Sequence, residues 1–137
     1  MKIYIRSLGA VFFLALCVFA HAQIPDTQHS QGISYISGGV GEEESRAILA
    51  EAKQWPLLLE LSQLENGRGV WIFGAKIKIL NSQNQAIFDA QADGPYILIN
   101  LPVGQYQIEA SYQGAVQRRS VLVPTSLAPQ KLFIFWK

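Results

Sequence analysis

The side chains that could take part in acid–base chemistry are few and scattered along the chain. His29 is the one histidine outside the first 22 residues, and it lies in a polar stretch with few apolar neighbours. Asp89, Asp93 and Glu109 are the carboxylates that fall on or near predicted strands. A pair of carboxylates can act as acid and base, but nothing in their spacing brings two of these together. We therefore predict no catalytic residues and a protein that is not an enzyme.

Three consecutive glutamates, Glu42, Glu43 and Glu44, follow the glycine-rich sequence SGGVG. Neighbours on a helix lie about 100° apart, so three adjacent carboxylates do not converge on one cation. The glycines match neither a P-loop nor a dinucleotide fingerprint, and the glutamates would repel a phosphate. Carboxylates in the first turn of a helix instead favour the positive end of its dipole. We predict the start of a helix here, with no metal site and no cofactor.

The composition excludes several further classes of site. The 137 residues include eleven basic and ten acidic side chains, a net charge of +1, which argues against a nucleic-acid partner. The only cysteine, Cys17, and one of the two histidines, His21, lie in the N-terminal segment. The residues after that segment therefore lack a disulfide, a thiolate metal site and a multi-histidine metal site. Their number suits one domain.

The N-terminal segment has the layout of a cleavable export signal. Lys2 and Arg6 supply a positive start, residues 7–20 supply an uncharged apolar stretch, and Ala20-His21-Ala22 offers a small-x-small cleavage site before Gln23. The apolar stretch is shorter than the roughly 20 residues that a membrane-spanning helix needs. We predict a signal peptide over residues 1–22.

Cys17 raises a second interpretation, a lipoprotein, because LALC partly resembles a lipobox. A lipobox needs a small residue where Leu16 stands, and the apolar run continues beyond Cys17. The absence of cysteine after residue 22 fits a periplasmic protein better than a disulfide-rich secreted domain. We therefore expect export to the periplasm, with no stable membrane anchor after cleavage.

The elements that would position any site begin with a single helix. Residues 23–32 are polar, and residues 23–37 are predicted to be a flexible N-terminal lead. Residues 37–54 predict a helix with Gly41 as N-cap and Pro56 as the stop. Its apolar side chains at helical spacing are Ile48, Leu49, Ala52 and Trp55. This stripe needs a partner surface.

From Leu57 onward the apolar period changes to two, which is typical of strands. In residues 70–79 one face carries Trp71, Phe73, Ala75, Ile77 and Ile79. Strands are predicted over residues 57–62, 70–79, 86–91, 96–101, 105–112, 115–123 and 131–136, with turn sequences between them. The pattern predicts a mainly β protein, an antiparallel seven-stranded sandwich with one N-terminal helix.

Two of these predicted strands are apolar on both faces. The second face carries Val70 and Ile72 in one strand, and Phe133 and Phe135 in the last one. A strand that is apolar on both faces needs cover on both. We expect the helix stripe to cover these four side chains.

Three sequences in the second half of the chain resemble a known family. GAKIKI at 74–79, DGPY at 93–96 and LPVGQYQI at 101–108 are similar to the motifs of carboxypeptidase regulatory-like domains, which are transthyretin-like, or prealbumin-like, sandwiches. The resemblance covers residues 57–136. SGGVGEEE and the final FIFW resemble a group of small exported bacterial proteins. The resemblance implies that residues 38–137 form a helix plus a carboxypeptidase regulatory-like β-sandwich domain, with Ig-like architecture.

The resemblance implies no catalysis. Hydroxyisourate hydrolases, enzymatic relatives of transthyretin, need two histidines in the site, and here only His29 follows the signal. We expect a non-catalytic binding or structural accessory module of the bacterial cell envelope, with an envelope protein as its partner. The alternative is a carbohydrate-binding module that uses exposed aromatic side chains to bind a glycan. The ligand-binding residues are unknown at this stage.

The aromatic side chains can distinguish these two functions. The alternating pattern places Trp71, Tyr106, Tyr112 and Trp136 in the core, and leaves Tyr96 and Trp55 undecided. Two or more exposed aromatic side chains on one face would favour a sugar. An unpaired strand edge with an apolar rim would favour a protein partner.

Overall fold

Residues 23–137 are described by the computed structural model, and they form ten strands in two sheets together with one α-helix. The predicted signal peptide and Cys17 lie outside the described residues. Within the described residues, no helix has the length and apolar character needed to cross a membrane. The prediction of a mainly β protein with two layers and one helix is confirmed.

Two strands precede the single α-helix, and eight strands follow it. The strands are β1 (Gln28–Ser30), β2 (Ile33–Gly38), β3 (Leu57–Glu65), β4 (Arg68–Trp71), β5 (Lys76–Leu80), β6 (Ala86–Gln91), β7 (Tyr96–Ile99), β8 (Gly104–Tyr112), β9 (Ala115–Val123) and β10 (Gln130–Trp136). The helix α1 (Glu42–Glu51) lies between β2 and β3 and ends in a 3-10 turn, Ala52–Gln54.

The first sheet has the order β1-β2-β7-β3-β10, with β4 also paired to β3, and the second has the order β6-β5-β8-β9. All pairs are antiparallel except β3 with β10, which run parallel from Leu57 opposite Gln130 to Gln63 opposite Trp136. The predictions of seven strands and of a purely antiparallel sandwich are therefore wrong among the described residues. A period of two identifies a strand but does not indicate the direction of its neighbour.

The prediction of a flexible lead over residues 23–37 is wrong for the residues of β1 and β2, which form strands. β1 pairs with β2, and β2 pairs with the central strand β7, with Ile36 opposite Leu98. Tyr35 and Ile36 are both buried, on opposite faces of the sheet. The short run ISYI therefore contributes enough apolar surface to order the segment. His29 lies in β1 rather than in a tail, opposite Ser34.

The main core lies between the two sheets and takes alternate residues from each strand. The largest fully buried side chains include Phe88, Leu59, Leu61, Ile77, Ile97 and Ile108. Burying one such side chain stabilises the fold by roughly 1.5 to 3 kcal/mol. Tyr35 adds an edge-to-face contact with Phe88, with 5.2 Å between ring centroids.

A second, smaller cluster places the helix on the outer face of the first sheet. Ile48 is fully buried there against four side chains of the sheet, and the other stripe residues are half-buried. The four sheet residues are Ile36, Leu58, Tyr96 and Leu98. The expectation that the helix covers Val70, Ile72, Phe133 and Phe135 is wrong, because Ile72 lies in the main core and the other three side chains are exposed.

The predicted strand over residues 70–79 is broken at Gly74. This residue has a φ of 88°, a conformation that favours glycine, and the chain passes here from the first sheet to the second. The interruption reverses the alternation, so that Ile72 and Ala75 are buried whereas Phe73 is 68% exposed. Trp71 is consequently 49% exposed, and its predicted place in the core is wrong.

Helix α1 begins at Glu42, later than predicted, because residues 37 and 38 belong to β2. Gly41 is the N-cap, as expected, with a φ of 92°. The Glu44 carboxylate accepts a hydrogen bond from the backbone N–H of Gly39 at 2.8 Å. The buried Ser45 hydroxyl lies 2.7 Å from the Gly39 carbonyl oxygen. Hydrogen bonds within the SGGVGEEES segment thus connect the start of the helix to the end of β2.

Candidate functional site

The residues considered for acid–base chemistry form structural contacts instead of a site. His29 is exposed, and the Asp93 carboxylate accepts a hydrogen bond from the Gln28 side-chain amide at 3.4 Å. Asp89 and Glu109 do share one row on the outer face of the second sheet, but Lys78 lies opposite each of them and separates them. The residue opposite Glu109 on its other side is Arg118. The row therefore alternates in charge, which favours cross-strand attraction.

The glutamates at the helix start do not share a ligand either. Glu42 forms an exposed ion pair with Arg46 one turn away, while Glu44 binds the backbone of Gly39. Across residues 23–137 no three side chains of the types histidine, cysteine, aspartate and glutamate are grouped so that they could hold a metal ion. These carboxylates therefore stabilise the start of the helix or lie on the solvent-facing surface.

The LPVGQY sequence also has a structural role. Leu101 is buried, and the Tyr106 hydroxyl donates a hydrogen bond to the Pro102 carbonyl at 2.8 Å. Tyr106 opens the inward-facing row of β8, as expected, and burial raises the pKa of its phenol. Trp136 is buried as predicted and Tyr112 is half-buried beside it, with ring centroids 5.7 Å apart.

The two undecided aromatic residues belong to the helix side of the first sheet. Tyr96 is only 4% exposed, and burial, followed by the nearby Glu60 carboxylate, raises the pKa of its phenol. Trp55 is half-buried, and its indole N–H donates to the Glu51 carboxylate at 3.2 Å. Neither ring is free to form a sugar platform.

An exposed aromatic surface lies on the same face of the first sheet, beyond the helix. It is formed by Trp71, Phe133 and Phe135, whose exposed fractions are 49%, 55% and 41%. Trp71 and Phe135 both lie opposite Ser62 of β3, so only this small residue separates them. The Lys131 ammonium lies 4.8 Å from the Phe133 ring centroid. An apolar group of this kind on a protein surface is typical of a contact site.

The aromatic surface borders an unpaired strand edge. Within the described residues β10 is the last strand of its sheet and has β3 as its sole ladder partner. In an edge strand every second backbone N–H and C=O points away from the sheet and can bind another chain. Phe133 and Phe135 lie beside these groups.

Two grooves open at the two ends of β10. The groove at its start, about 390 Å³, is mostly apolar and lies between the helix and the sheet, with Leu49, Ala52, Leu58 and Pro129 among its walls. The groove at its end, about 590 Å³, lies between β10 and β9. Its walls are Gln63, Tyr112, Gln113, Ala115, Gln117, Arg119, Phe135, Trp136 and Lys137.

The second groove, which we call the polar groove, carries positive charge. Three of its side chains end in amides, Gln63, Gln113 and Gln117, and none of its described wall residues is acidic. The guanidinium of Arg119 lies 5.8 Å from the centroid of the Phe135 ring. The indole N–H of Trp136 donates to the Ala115 carbonyl at 3.0 Å and joins the two strands at the groove.

Sequence comparison with family models and curated proteins gives no relative from which a function could be transferred. The chain matches no protein-family model, and no curated protein is significantly similar to it. The geometry of the described residues therefore carries the functional argument.

Sequence reasoning misses both the aromatic surface and the polar groove. The alternating pattern places Trp71 in the core only if residues 70–79 form one strand. The sequence does indicate an unusual position for Arg119. In the alternating pattern of β9, Arg119 falls on the same inward face as the buried Val121 and Val123. A charged residue at an inward position is unusual unless it has a function.

Proposed function

We propose that the chain is a non-catalytic binding module of the bacterial cell envelope and that its partner is a protein. The observation that carries the proposal is the unpaired edge of β10, with the exposed rings of Phe133 and Phe135 beside it. An extended segment of a partner could add a strand to this edge. Backbone hydrogen bonds would then supply affinity, and the side-chain pockets would supply specificity.

The energetics of the exposed rings support a contact site. Phe133 and Phe135 remain about half exposed, although burying a phenylalanine fully is worth roughly 1.5 to 3 kcal/mol. The helix could have covered them, but it lies over Leu58 and Leu98 instead. A partner that covers both rings would gain this energy on binding.

The structural roles of the motifs support the proposed family. LPVGQY fixes a turn through Tyr106, DGPY closes against the end of β2, and GAKIKI carries the chain from one sheet to the other. These roles support a carboxypeptidase regulatory-like, transthyretin-like sandwich. The layout of residues 1–22 supports export to the periplasm. The structural partners of the Asp93, Glu109 and Glu44 carboxylates support the absence of catalysis.

Site-specific photo-crosslinking in exporting cells tests the proposed function. A photoreactive amino acid at residue 133 should give a discrete protein adduct of defined mass. The matched control places the same group at Leu122, an exposed apolar residue of the other sheet that does not line the groove between β9 and β10. The proposal fails if residue 133 gives no adduct, or if residue 122 gives the same adduct.

The alternative function is carbohydrate binding, which the shared face of Trp71, Phe133 and Phe135 favours. Sugars pack their C–H groups against exposed rings, and Trp71 is the largest ring of the surface. A pull-down on insoluble cell-wall glycan, with wild type and Trp71→Ala, tests it. Retention that Trp71→Ala abolishes, without a protein adduct at residue 133, would favour the sugar.

A further inference from the structure

We propose that the polar groove binds an acidic side chain of an extended peptide, whose backbone pairs with the free edge of β10, and that Arg119 binds its carboxylate. This inference rests on the proposed function, because it names the chemistry of the protein partner. It shares the β10 edge and Phe135 with the proposed function and adds the polar side chains of the groove, Arg119 above all.

The first argument is that polar side chains occupy inward-facing positions at this end of the sandwich. In β3 the inward row of Leu57, Leu59 and Leu61 continues to Gln63. In β9 the inward row of Val123 and Val121 continues to Arg119 and Gln117.

Alternate residues of a strand share a face, so these polar side chains converge where apolar core residues would otherwise continue. Polar residues at core positions weaken a fold, so their presence there is typical of a functional site. Their convergence on one groove indicates a binding site.

The second argument concerns Arg119. Its Nη1 donates to the Arg118 carbonyl at 2.8 Å, and its guanidinium packs on the Phe135 ring. These contacts hold the group at the groove, yet no carboxylate of residues 23–137 forms an ion pair with it. A guanidinium has five N–H donors in a planar fork that matches a carboxylate. Arg119 is thus positioned with donors available for an incoming acid.

The third argument is the position of the groove between two sheet edges. β9 and β10 are the end strands of their sheets, and the groove lies between them. A seven-residue strand such as β10 is roughly 23 Å long, so it can pair with a peptide of similar length. A strand bound here would meet free backbone groups of β10 and the Arg119 side chain of β9. Backbone pairing with β10 therefore selects an extended peptide, and the charge of Arg119 selects an acidic one.

Selection from a library tests the proposal. Phage that display nine random residues between glycine spacers are selected on the purified protein, on Arg119→Gln and on Arg118→Gln. Arg118 is the matched control, because it is the neighbouring arginine but pairs with Glu109 on the outer face. Wild type and Arg118→Gln should enrich peptides with aspartate or glutamate at one fixed position. Arg119→Gln should lose this preference while keeping its melting temperature.

Synthetic peptides then identify the contacts. In the consensus peptide, replacing the acidic residue by its amide should weaken binding to wild type by about tenfold, as expected for one charge-assisted pair. The same replacement should change binding to Arg119→Gln little. Methylation of alternate backbone nitrogens should abolish binding to both proteins, because it removes the donors that pair with β10.

The results separate the two proposals. The inference is overturned if no peptide is enriched, if no acidic position is selected, or if the preference survives Arg119→Gln. It is also overturned if a polyuronate binds in an Arg119-dependent way and the peptides do not. A protein adduct at residue 133 together with any of these results leaves the proposed function standing. Absence of both the adduct and peptide enrichment rejects the two together.

Discussion

Gly94 lies against the backbone of Gly38, so close that a Cβ at residue 94 would overlap the Gly38 carbonyl. The preceding Asp93 donates its N–H to Ser37. The Asp-Gly pair in DGPY thus brings the turn before β7 into contact with the end of β2. The requirement for glycine here is steric, which explains a motif that could be mistaken for a ligand site.

Gly94→Ala should therefore destabilise the protein by about 1 to 3 kcal/mol, the usual cost of forcing extra atoms into a packed region. The matched control is Gly69→Ala in β4, where a Cβ would meet only the Ser62 side chain at 3.9 Å. Chemical unfolding at neutral pH measures both. Equal effects of the two substitutions would contradict the steric explanation.

Tyr96 predicts how stability depends on alkaline pH. Burial and the Glu60 carboxylate raise the pKa of its phenol in the folded protein, whereas the unfolded chain ionises near its ordinary value of about 10. The unfolded state therefore loses this proton first, so stability is fully present below about pH 10 and falls above it. Tyr96→Phe should lose less stability than wild type between roughly pH 9 and 11. Unfolding midpoints across this range measure the difference, and identical alkaline slopes would contradict the prediction.

At the scale of elements, the helix contributes a second, outer core. Ile48 is completely buried in it, whereas Leu49 is half-buried at the margin. The contacts of the helix are to β2, β3 and β7, so it binds together three strands that are distant in sequence. The sequence predicts the stripe but not its partner, because a helical period shows which face is buried and not what buries it.

Ile48→Ala should cost about 2 to 5 kcal/mol through lost contacts and a cavity, and Leu49→Ala should cost less because its side chain keeps some solvent contact. Arg46→Ala is the control on the same helix, since its ion pair with Glu42 is exposed and such pairs contribute little. Thermal unfolding of the three variants gives the ranking. If Ile48→Ala has no larger effect than Arg46→Ala, the helix does not stabilise the fold.

Local patterns predict most strands after residue 57, and the reason is physical. The predicted bounds of β6 and β9 match the structure, because both strands alternate and end at turn residues. Gln113 and Gly114, for example, both adopt positive φ at the turn between β8 and β9. The parallel pairing of β3 with β10 could not be predicted, since it depends on contacts across more than half of the chain. The candidate site escapes sequence reasoning for the same reason, because it forms where β9 meets β10.

At the scale of the whole molecule, strands differ in how well hydrogen bonds protect their backbone amides from exchange with solvent. β3 and β7 have neighbours on both sides, whereas β9 and β10 are end strands among the described residues. Backbone groups that hydrogen-bond on both edges exchange with solvent only when the structure opens widely. Protection should therefore be highest at the centre of the first sheet.

Amide hydrogen exchange should show two classes alternating along β10, with slow exchange at amides that face β3 and fast exchange at the others. In β3 all central amides should exchange slowly. Two-dimensional NMR after transfer to deuterated water measures this, and measurement at two protein concentrations is the control. Uniform protection of β10 that grows with concentration would show that a second copy covers the edge.

The parallel pairing of β3 with β10 also sets an order in time. The residues that pair leave the ribosome far apart, because Leu57 must wait for Gln130 before the ladder can close. Pairings this distant slow folding, and β-rich domains form them in roughly milliseconds to seconds. Until then neither the edge of β10 nor the groove beside β9 exists. The proposed binding surface is thus the last part of the structure to form, and a partner that binds this edge would bind completely folded molecules and not incompletely folded ones.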